Sequence, residues 1–196
     1  PKMEAVWSER RPGLETKRSP HHGPSKYPIK SLTPKELQVC LAFHPNNANI
    51  MFAGSPDGGV WKSTDGGGSW STNTDFLSSL GVSDIVINAN NPNIMFVATG
   101  DRDGKDIYSF GLLKSTDGGD SWQTTGLQYN NSQQRLVTDI ALDAENDNNL
   151  LVTTSEGIFR STNQGTSFTN VRTGDFMNVV FHPTNSDIVY AATRTN

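Results

Sequence analysis

A chain of 196 residues can bury a core of ordinary size, as one domain or two. Its Gly, Pro, Asn, Ser, Thr and Asp content, with no long helical pattern, describes many short strands joined by turns. The net charge of −4 divides into a basic segment, residues 1–37, with eight Lys/Arg against four Asp/Glu, and a body, residues 38–196, with eight against sixteen; the acidic body excludes generic binding to nucleic acid or anionic membranes.

Residues 1–37 hold Pro12, Pro20, Pro24, Pro28 and Pro34 with almost no apolar periodicity, so an extended basic segment without its own core is expected. Trp7 and Tyr27 are its expected anchors on the body or on a partner chain, and the adjacent His21 and His22 make a weak metal site by themselves. The start, PKMEAVWSERRPG, does not have the layout of an export signal, so an exported protein would already have lost it. No stretch reaches the roughly 18 apolar residues of a membrane-spanning helix, so no membrane insertion is expected.

From residue 38 a four-part unit of about 45 residues recurs. Its first part is an apolar strand: VCLAF at 39–43, SDIVIN at 83–88, VTDIAL at 137–142 and MNVVF at 177–181. Polar turns follow from His44, Ala89, Asp143 and His182, then second strands (IMFAG, IMFVATG, LLVTT, IVYAAT) and third strands (GGVWKS, FGLLKS, GIFRS). Four short strands per unit at this period predict an all-β fold, a β-propeller of four-stranded antiparallel blades over about 38–75, 83–126 and 136–172, with a half blade at 176–196. Such a propeller is incomplete, about three and a half blades, and its remaining blades are expected from the same protein or a partner chain. The sole cysteine, Cys40, falls in an apolar strand where a buried, inert thiol is the expectation.

Each third strand runs into one phrase, STDGGGSW at 63–70, STDGGDSW at 115–122 and STNQGTSF at 161–168. A carboxylate or amide accepting from turn amides, glycines allowing positive φ, and a closing aromatic together predict a hairpin that ties itself. The phrase resembles the Asp-box, or bacterial neuraminidase repeat, S-x-D-x-G-x-[ST]-W. On that resemblance Ser63, Asp65, Gly67, Trp70, Ser115, Asp117, Gly119, Trp122, Ser161, Asn163, Gly165 and Phe168 are structural residues on the propeller face away from the functional one. AGSPDGGVWKSTDGG and TGDRDGKDIYSFGLLKSTDGG look most like sortilin-like proteins exported by the bacterial type IX route. Xyloglucanase, sialidase and photosystem II assembly-factor propellers are also similar.

Catalytic signals are sparse. Xyloglucanases place an acid ahead of a Gly-Gly pair with one residue between, and Asp57 directly precedes Gly58 and Gly59, so a turn residue is the simpler account. The sialidase Arg-Ile-Pro phrase is absent, and no Ser-His-Asp order or phosphate-binding glycine loop is present. Asp101, Asp103 and Asp106, with Gly104 at a bend, could offer oxygen ligands to Ca²⁺, although Arg102 and Lys105 partly neutralise them; no other cofactor is implied. Tyr108 and Phe110 beside that loop could stack on a ligand, or simply fill the blade packing. His44 and His182 recur at the same turn, which indicates structure.

The sequence therefore predicts a non-catalytic, extracytoplasmic binding or adhesion propeller, bacterial and secreted or at the cell surface, with a protein or glycan ligand and no nucleic acid. The alternatives are a xyloglucanase-like glycoside hydrolase and a scaffold subunit of a larger assembly.

Overall fold

The computed structural model describes residues 40–194 apart from 57, 76–80 and 103–106. The chain divides into two units, 1–32 and 33–196, and all described residues belong to the second. Trp7 and Tyr27 lie outside the described residues.

Four antiparallel sheets follow one another in chain order. The first holds β1 (Cys40–Phe43), β2 (Met51–Ser55), β3 (Gly59–Ser63) and β4 (Ser71–Thr72). The second holds β5 (Val82–Ile87), β6 (Met95–Thr99), β7 (Gly111–Ser115) and β8 (Gln123–Gln128). The third holds β9 (Val137–Leu142), β10 (Leu150–Thr154), β11 (Gly157–Ser161) and β12 (Thr169–Thr173), and the fourth pairs β13 (Phe176–His182) with β14 (Asn185–Thr193). Each sheet is a meander of neighbours, so the architecture is an all-β, incomplete β-propeller: three four-stranded blades and one two-stranded blade among the described residues.

The turns between first and second strands are built alike from different residues. At their first position His44 Nδ1, Asn88 Oδ1, Asp143 Oδ1 and His182 Nδ1 accept the amide two residues on, at 3.2, 2.8, 3.0 and 3.3 Å. Three residues later Asn47, Asn91, Asn146 and Asn185 repeat the motif onto Asn49, Asn93, Asn148 and Asp187. Any side chain with a short-reach acceptor satisfies this turn, which is why His, Asn and Asp exchange there. The two histidines are turn acceptors.

Blades pack through apolar seams. At the first, Ala42, Phe52 and Val60 meet Val82, Ile85, Val97, Leu113 and Trp122 of the second blade. At the second, Phe96, Ala98 and Leu112 meet Val137, Ile140, Leu150 and Val152; at the third, Ala141, Leu151 and Ile158 meet Phe176 and Val179. Phe52 and Phe96 are fully buried, with Lys62 Nζ 5.6 Å and Lys114 Nζ 5.7 Å from their ring centres. Each ring also meets a glycine from the next blade's phrase. At Gly119, where φ is +84°, a Cβ would stand 2.7 Å from Phe52, and at Gly165 one would stand 3.1 Å from Phe96.

The first blade departs from the repeat at two places. Trp122 is buried and Phe168 packs on the second seam, but Trp70 is 38% exposed, because no blade among the described residues lies against that side of the first sheet. For the same reason β1 is not sandwiched: Leu41 and Phe43 are 56% and 61% exposed.

Phe96→Ala is therefore expected to cost ~3–5 kcal/mol and Trp70→Ala less than ~1 kcal/mol. Urea unfolding of the two variants reads this order directly, and equal losses would mean that Trp70 is core.

Candidate functional site

An antiparallel meander puts its turns alternately at two ends. The three phrases and the first-to-second-strand turns share one end, where Gly66, Gly118 and Gln164 donate their amides to Asn49, Asn93 and Asn148 at 2.9, 3.0 and 3.0 Å. The second-to-third-strand loops and the connections between blades share the other end, where Ser109 N meets Arg135 O, Gly100 N meets Gly81 O and Gly174 N meets Glu156 O.

The phrase end is densely hydrogen-bonded. Ser63 Oγ accepts from Gly67 N at 2.9 Å and donates to Asp65 Oδ1 at 2.9 Å, while Asp65 accepts from Ser69 N and from the Ser69 hydroxyl. Ser115, Asp117, Gly119 and Ser121 repeat the arrangement. These bonds, led by the Ser69 and Ser121 hydroxyls, lower the Asp65 and Asp117 carboxyls to about 2. In the third copy Asn163 Oδ1 still accepts from Ser167 N, and its Nδ2 donates to Ser167 Oγ, reversing that hydroxyl's role. Neighbouring phrases are also tied together. Lys62 Nζ donates to Gly118 O and pairs with Asp120 at 2.6 Å, Lys114 Nζ donates to Gln164 O at 3.1 Å, and Asn73 joins Gly119 O, Asp120 O and Trp122 Nε1. The Ser and Asp or Asn side chains of each phrase are thus all engaged by the chain itself.

At the other end the sequence candidates separate. Asp57, Asp103 and Asp106 lie outside the described residues, and among the described residues no group of three or more acids, histidines or cysteines is placed to hold a metal. Asp101 N donates to Ile107 O at 3.0 Å, which closes the base of the loop. Phe110 packs on the first seam and Tyr108 is half-buried. Between them Ser109 is buried, its hydroxyl 3.0 Å from Thr99 Oγ1, so the aromatic pair stands on a rigid base. Nearby, Glu156 accepts from the Tyr129 hydroxyl at 3.1 Å and pairs with Arg135 Nε at 2.9 Å; burial, then the Glu156 charge, pushes the Tyr129 phenol up.

An unexpected feature is a series of side chains on the inner strands. Cys40, Asp84, Asp139 and Asn178 hold equivalent places on β1, β5, β9 and β13, as their pairing with Gly54, Ala98, Thr153 and Ala192 shows. Asp84 Oδ2 accepts from Ile140 N at 3.0 Å and Asp139 Oδ2 accepts from Val179 N at 2.8 Å, so each acid clamps the inner strand of the next blade. The two carboxyls also act on one another electrostatically. Burial, then the Asp139 charge, pushes Asp84 up to about 7, and burial raises Asp139 while Val179 N and Arg102 oppose the rise. Arg102 reaches from the second blade toward Met177 O and Asn178 Oδ1, each at 3.5 Å, and its own carbonyl accepts from Arg194 at 2.7 Å. A glycosidase needs two carboxyls about 5–9.5 Å apart with a sugar between them. Asp84 and Asp139 are each committed to a backbone amide of the next blade, which is the role of a structural clamp. Its only signal in the sequence is an Asp at the same place in SDIVIN and VTDIAL, inside otherwise apolar strands.

The chain matches no protein-family model. It is 26% identical over 148 residues to a xyloglucanase from Paenibacillus sp, an alignment covering 67% of this chain and 14% of that protein. Among solved structures it resembles an ancestral GH74 enzyme (TM-score 0.61, 24% identity, 77% of this chain and 21% of the other). It also resembles YCF48 bound to D1 peptide (TM-score 0.52, 16% identity, 74% and 45%). The chain thus spans under a quarter of the length of the xyloglucanase and of the GH74 enzyme, and these likenesses establish the β-propeller fold.

The clamp acids carry a pH signature. Asp84 is raised from an ordinary 3.8 to about 7, so between about pH 4 and pH 7 the folded state binds more protons than the unfolded one. The stability it contributes is whole below about pH 4 and is lost as pH rises through about 7, by at most about 4 kcal/mol. Asp65 and Asp117, lowered to about 2, act only below that window. Asp84→Asn keeps an acceptor for Ile140 N and a donor toward Asp139, so its melting temperature should fall less than the parent's between pH 4.5 and 7.5. Parallel curves would show that no proton is taken up there.

Proposed function

We propose that this chain is part of an Asp-box propeller that recognises a polysaccharide of the xyloglucan class through the end opposite its phrases. The relation to a xyloglucanase over 67% of the chain carries this reading. The geometry supports it: the phrase end is occupied by its own hydrogen bonds, while the loop end carries Tyr108 and Phe110 on a fixed base. Half-buried aromatic rings on a rigid support suit sugar faces, because little side-chain freedom is lost on binding.

Glycoside hydrolysis by the whole protein is the second reading, favoured by the same relative. Asp57 is its candidate acid in this chain, and its partner carboxylate would come from elsewhere, since Asp84 and Asp139 are engaged with backbone amides of the next blades. The YCF48 structure with D1 peptide makes a protein ligand the principal competitor for the same end. Calcium at Asp101, Asp103 and Asp106 would be an accessory to binding. An extracytoplasmic location belongs to the same proposal and rests on the resemblance to exported Asp-box proteins.

Affinity electrophoresis in xyloglucan, mixed-linkage glucan and cellulose-derivative gels tests recognition, with reducing-sugar release measured in parallel. Retardation by xyloglucan is expected, weakened about tenfold by Tyr108→Ala. Sugar release abolished by Asp57→Asn would favour the hydrolase, and no retardation by any glycan would sink the carbohydrate reading.

A further inference from the structure

The first and second seams are closed differently at their outer rims. At the first, Lys62 Nζ donates to Gly118 O at 2.9 Å and pairs with Asp120 at 2.6 Å, and Asn73 reaches across to Gly119 O and Asp120 O. Lys114 holds on the second blade the place of Lys62 on the first, since each pairs in register with the seam phenylalanine of its own sheet, Phe96 or Phe52. The phrases align Thr166 with Asp120, and the spacing after Trp70 and Trp122 aligns Thr125 with Asn73. Thr166 donates its hydroxyl to Asn163 O at 2.9 Å, and Thr125 turns its own inward to Leu112 O at 3.0 Å. Neither hydroxyl bonds across the second seam.

A hollow of about 430 Å³ lies there, between β8 and the phrase of the third blade. Its size falls within the roughly 300–1,000 Å³ of small-ligand sites. Its polar lining comes from Lys114, Thr116, Gln123, Gln128, Gln164 and Thr166, that is, from hydroxyls, carboxamides and one cation. Among the described residues no carboxylate pairs with Lys114, whose Nζ donates to the neutral Gln164 O and Oε1, each at 3.1 Å. Burial lowers the Lys114 ammonium below its ordinary value, as expected of a cation drawn from water without a countercharge. Gln164 has φ +53° where the first two phrases have Gly66 and Gly118, so the third phrase holds a side chain in left-handed backbone at the wall of this hollow.

We infer that this hollow binds a sugar acid, whose carboxylate takes beside Lys114 the place that Asp120 takes beside Lys62. The chain itself shows that this lysine position accepts a carboxylate, and an ammonium–carboxylate bond is stronger than the neutral ones Lys114 now makes. The hydroxyls and carboxamides around it both donate and accept, which suits the hydroxyls of a sugar ring. One cation in a body with eight Lys/Arg against sixteen Asp/Glu suits a single uronate among neutral sugars and disfavours a polyanion. The second and third blades each have a described blade on both sides, so the walls of the hollow are complete in this chain. The site is separate from the loop end and independent of what binds there.

Amide chemical shifts of the ¹⁵N-labelled 196-residue chain, titrated with D-glucuronate at constant ionic strength, test the proposal. Saturable shifts at Gly126, Gln164 and Thr166 are expected, with a Kd on the order of millimolar. Glucose, which lacks the carboxylate, and acetate, which lacks the ring, are expected to bind more than tenfold more weakly. Thr166→Asp installs at the second seam the acid that the first already has. The site is exposed, so the variant should keep the parent's circular dichroism while its affinity for glucuronate falls more than tenfold. Lys114→Met removes the cation directly and should lose binding as well; should it loosen the seam, Thr166→Asp carries the test alone. No saturable shift at these amides up to ~50 mM glucuronate overturns the proposal, as does a Thr166→Asp variant that binds like the parent. Equal binding of acetate or glucose would show that no sugar acid is recognised. Tighter binding of N-acetyl-glutamate amide than of glucuronate would assign the hollow to an acidic peptide and overturn it equally.

Discussion

The packing of one blade's flank against the next is the interaction on which the rest of this molecule depends. Each sheet is apolar on both faces: β6 and β10 are buried along their whole length. A sheet of that kind is unstable alone and becomes stable only between two neighbours. The seam supplies this in two registers. Near the phrase end an aromatic ring of the second strand meets a lysine of its own blade and a glycine of the next. Nearer the loop end an acid on the inner strand ties the neighbouring inner strand through its backbone amide. Apolar burial supplies most of the energy, and the directional bonds fix how far one blade can slide along the next.

That division explains why the two ends of the propeller differ in chemical freedom. The phrase end is held by bonds that use the same atoms in every copy, so a substitution there acts on stability first. At the loop end the scaffold stops at Gly100, Ser109 and Gly174, whose backbone bonds anchor the loop bases while leaving loop length unconstrained. The second blade uses this freedom most, with its insertion between β6 and β7 carrying Asp101, Arg102 and Tyr108.

Much of this was legible in the sequence because the repeated letters coincide with repeated physical demands. The phrases are readable since Ser, Asp and Gly each meet a separate requirement of one turn, and the strands since their apolar runs have the length of a blade. Asp84 and Asp139 escaped notice because a strand with one acid among apolar residues looks like a strand with one solvent-facing position. Only the register of the next blade reveals that the acid meets an amide. Trp70 and Trp122 close nearly identical phrases and differ in burial, because burial depends on a neighbouring blade that lies far away in sequence. Local pattern specifies which face of a strand is apolar and is silent about what covers it.

The inner-strand series shows how a repeat fold tolerates ionisable groups along its axis. Four carboxylates at successive equivalent places would stand close together in a poorly hydrated interior, and their repulsion would oppose the packing that brings them there. The chain instead places a cysteine first, its thiol pushed up to about 12 by burial and then by Asp84, so it stays neutral. Two acids follow, both raised by burial, then an amide, with Arg102 directed at the last two places. The series keeps an acceptor for the next strand wherever one is used, while burial favours the neutral form of both acids and Arg102 faces them with a positive charge. Variation among Cys40, Asp84, Asp139 and Asn178 is thus one constraint met four ways: each blade must offer its neighbour an acceptor or a small apolar atom, and the sum of charges along the axis must stay small.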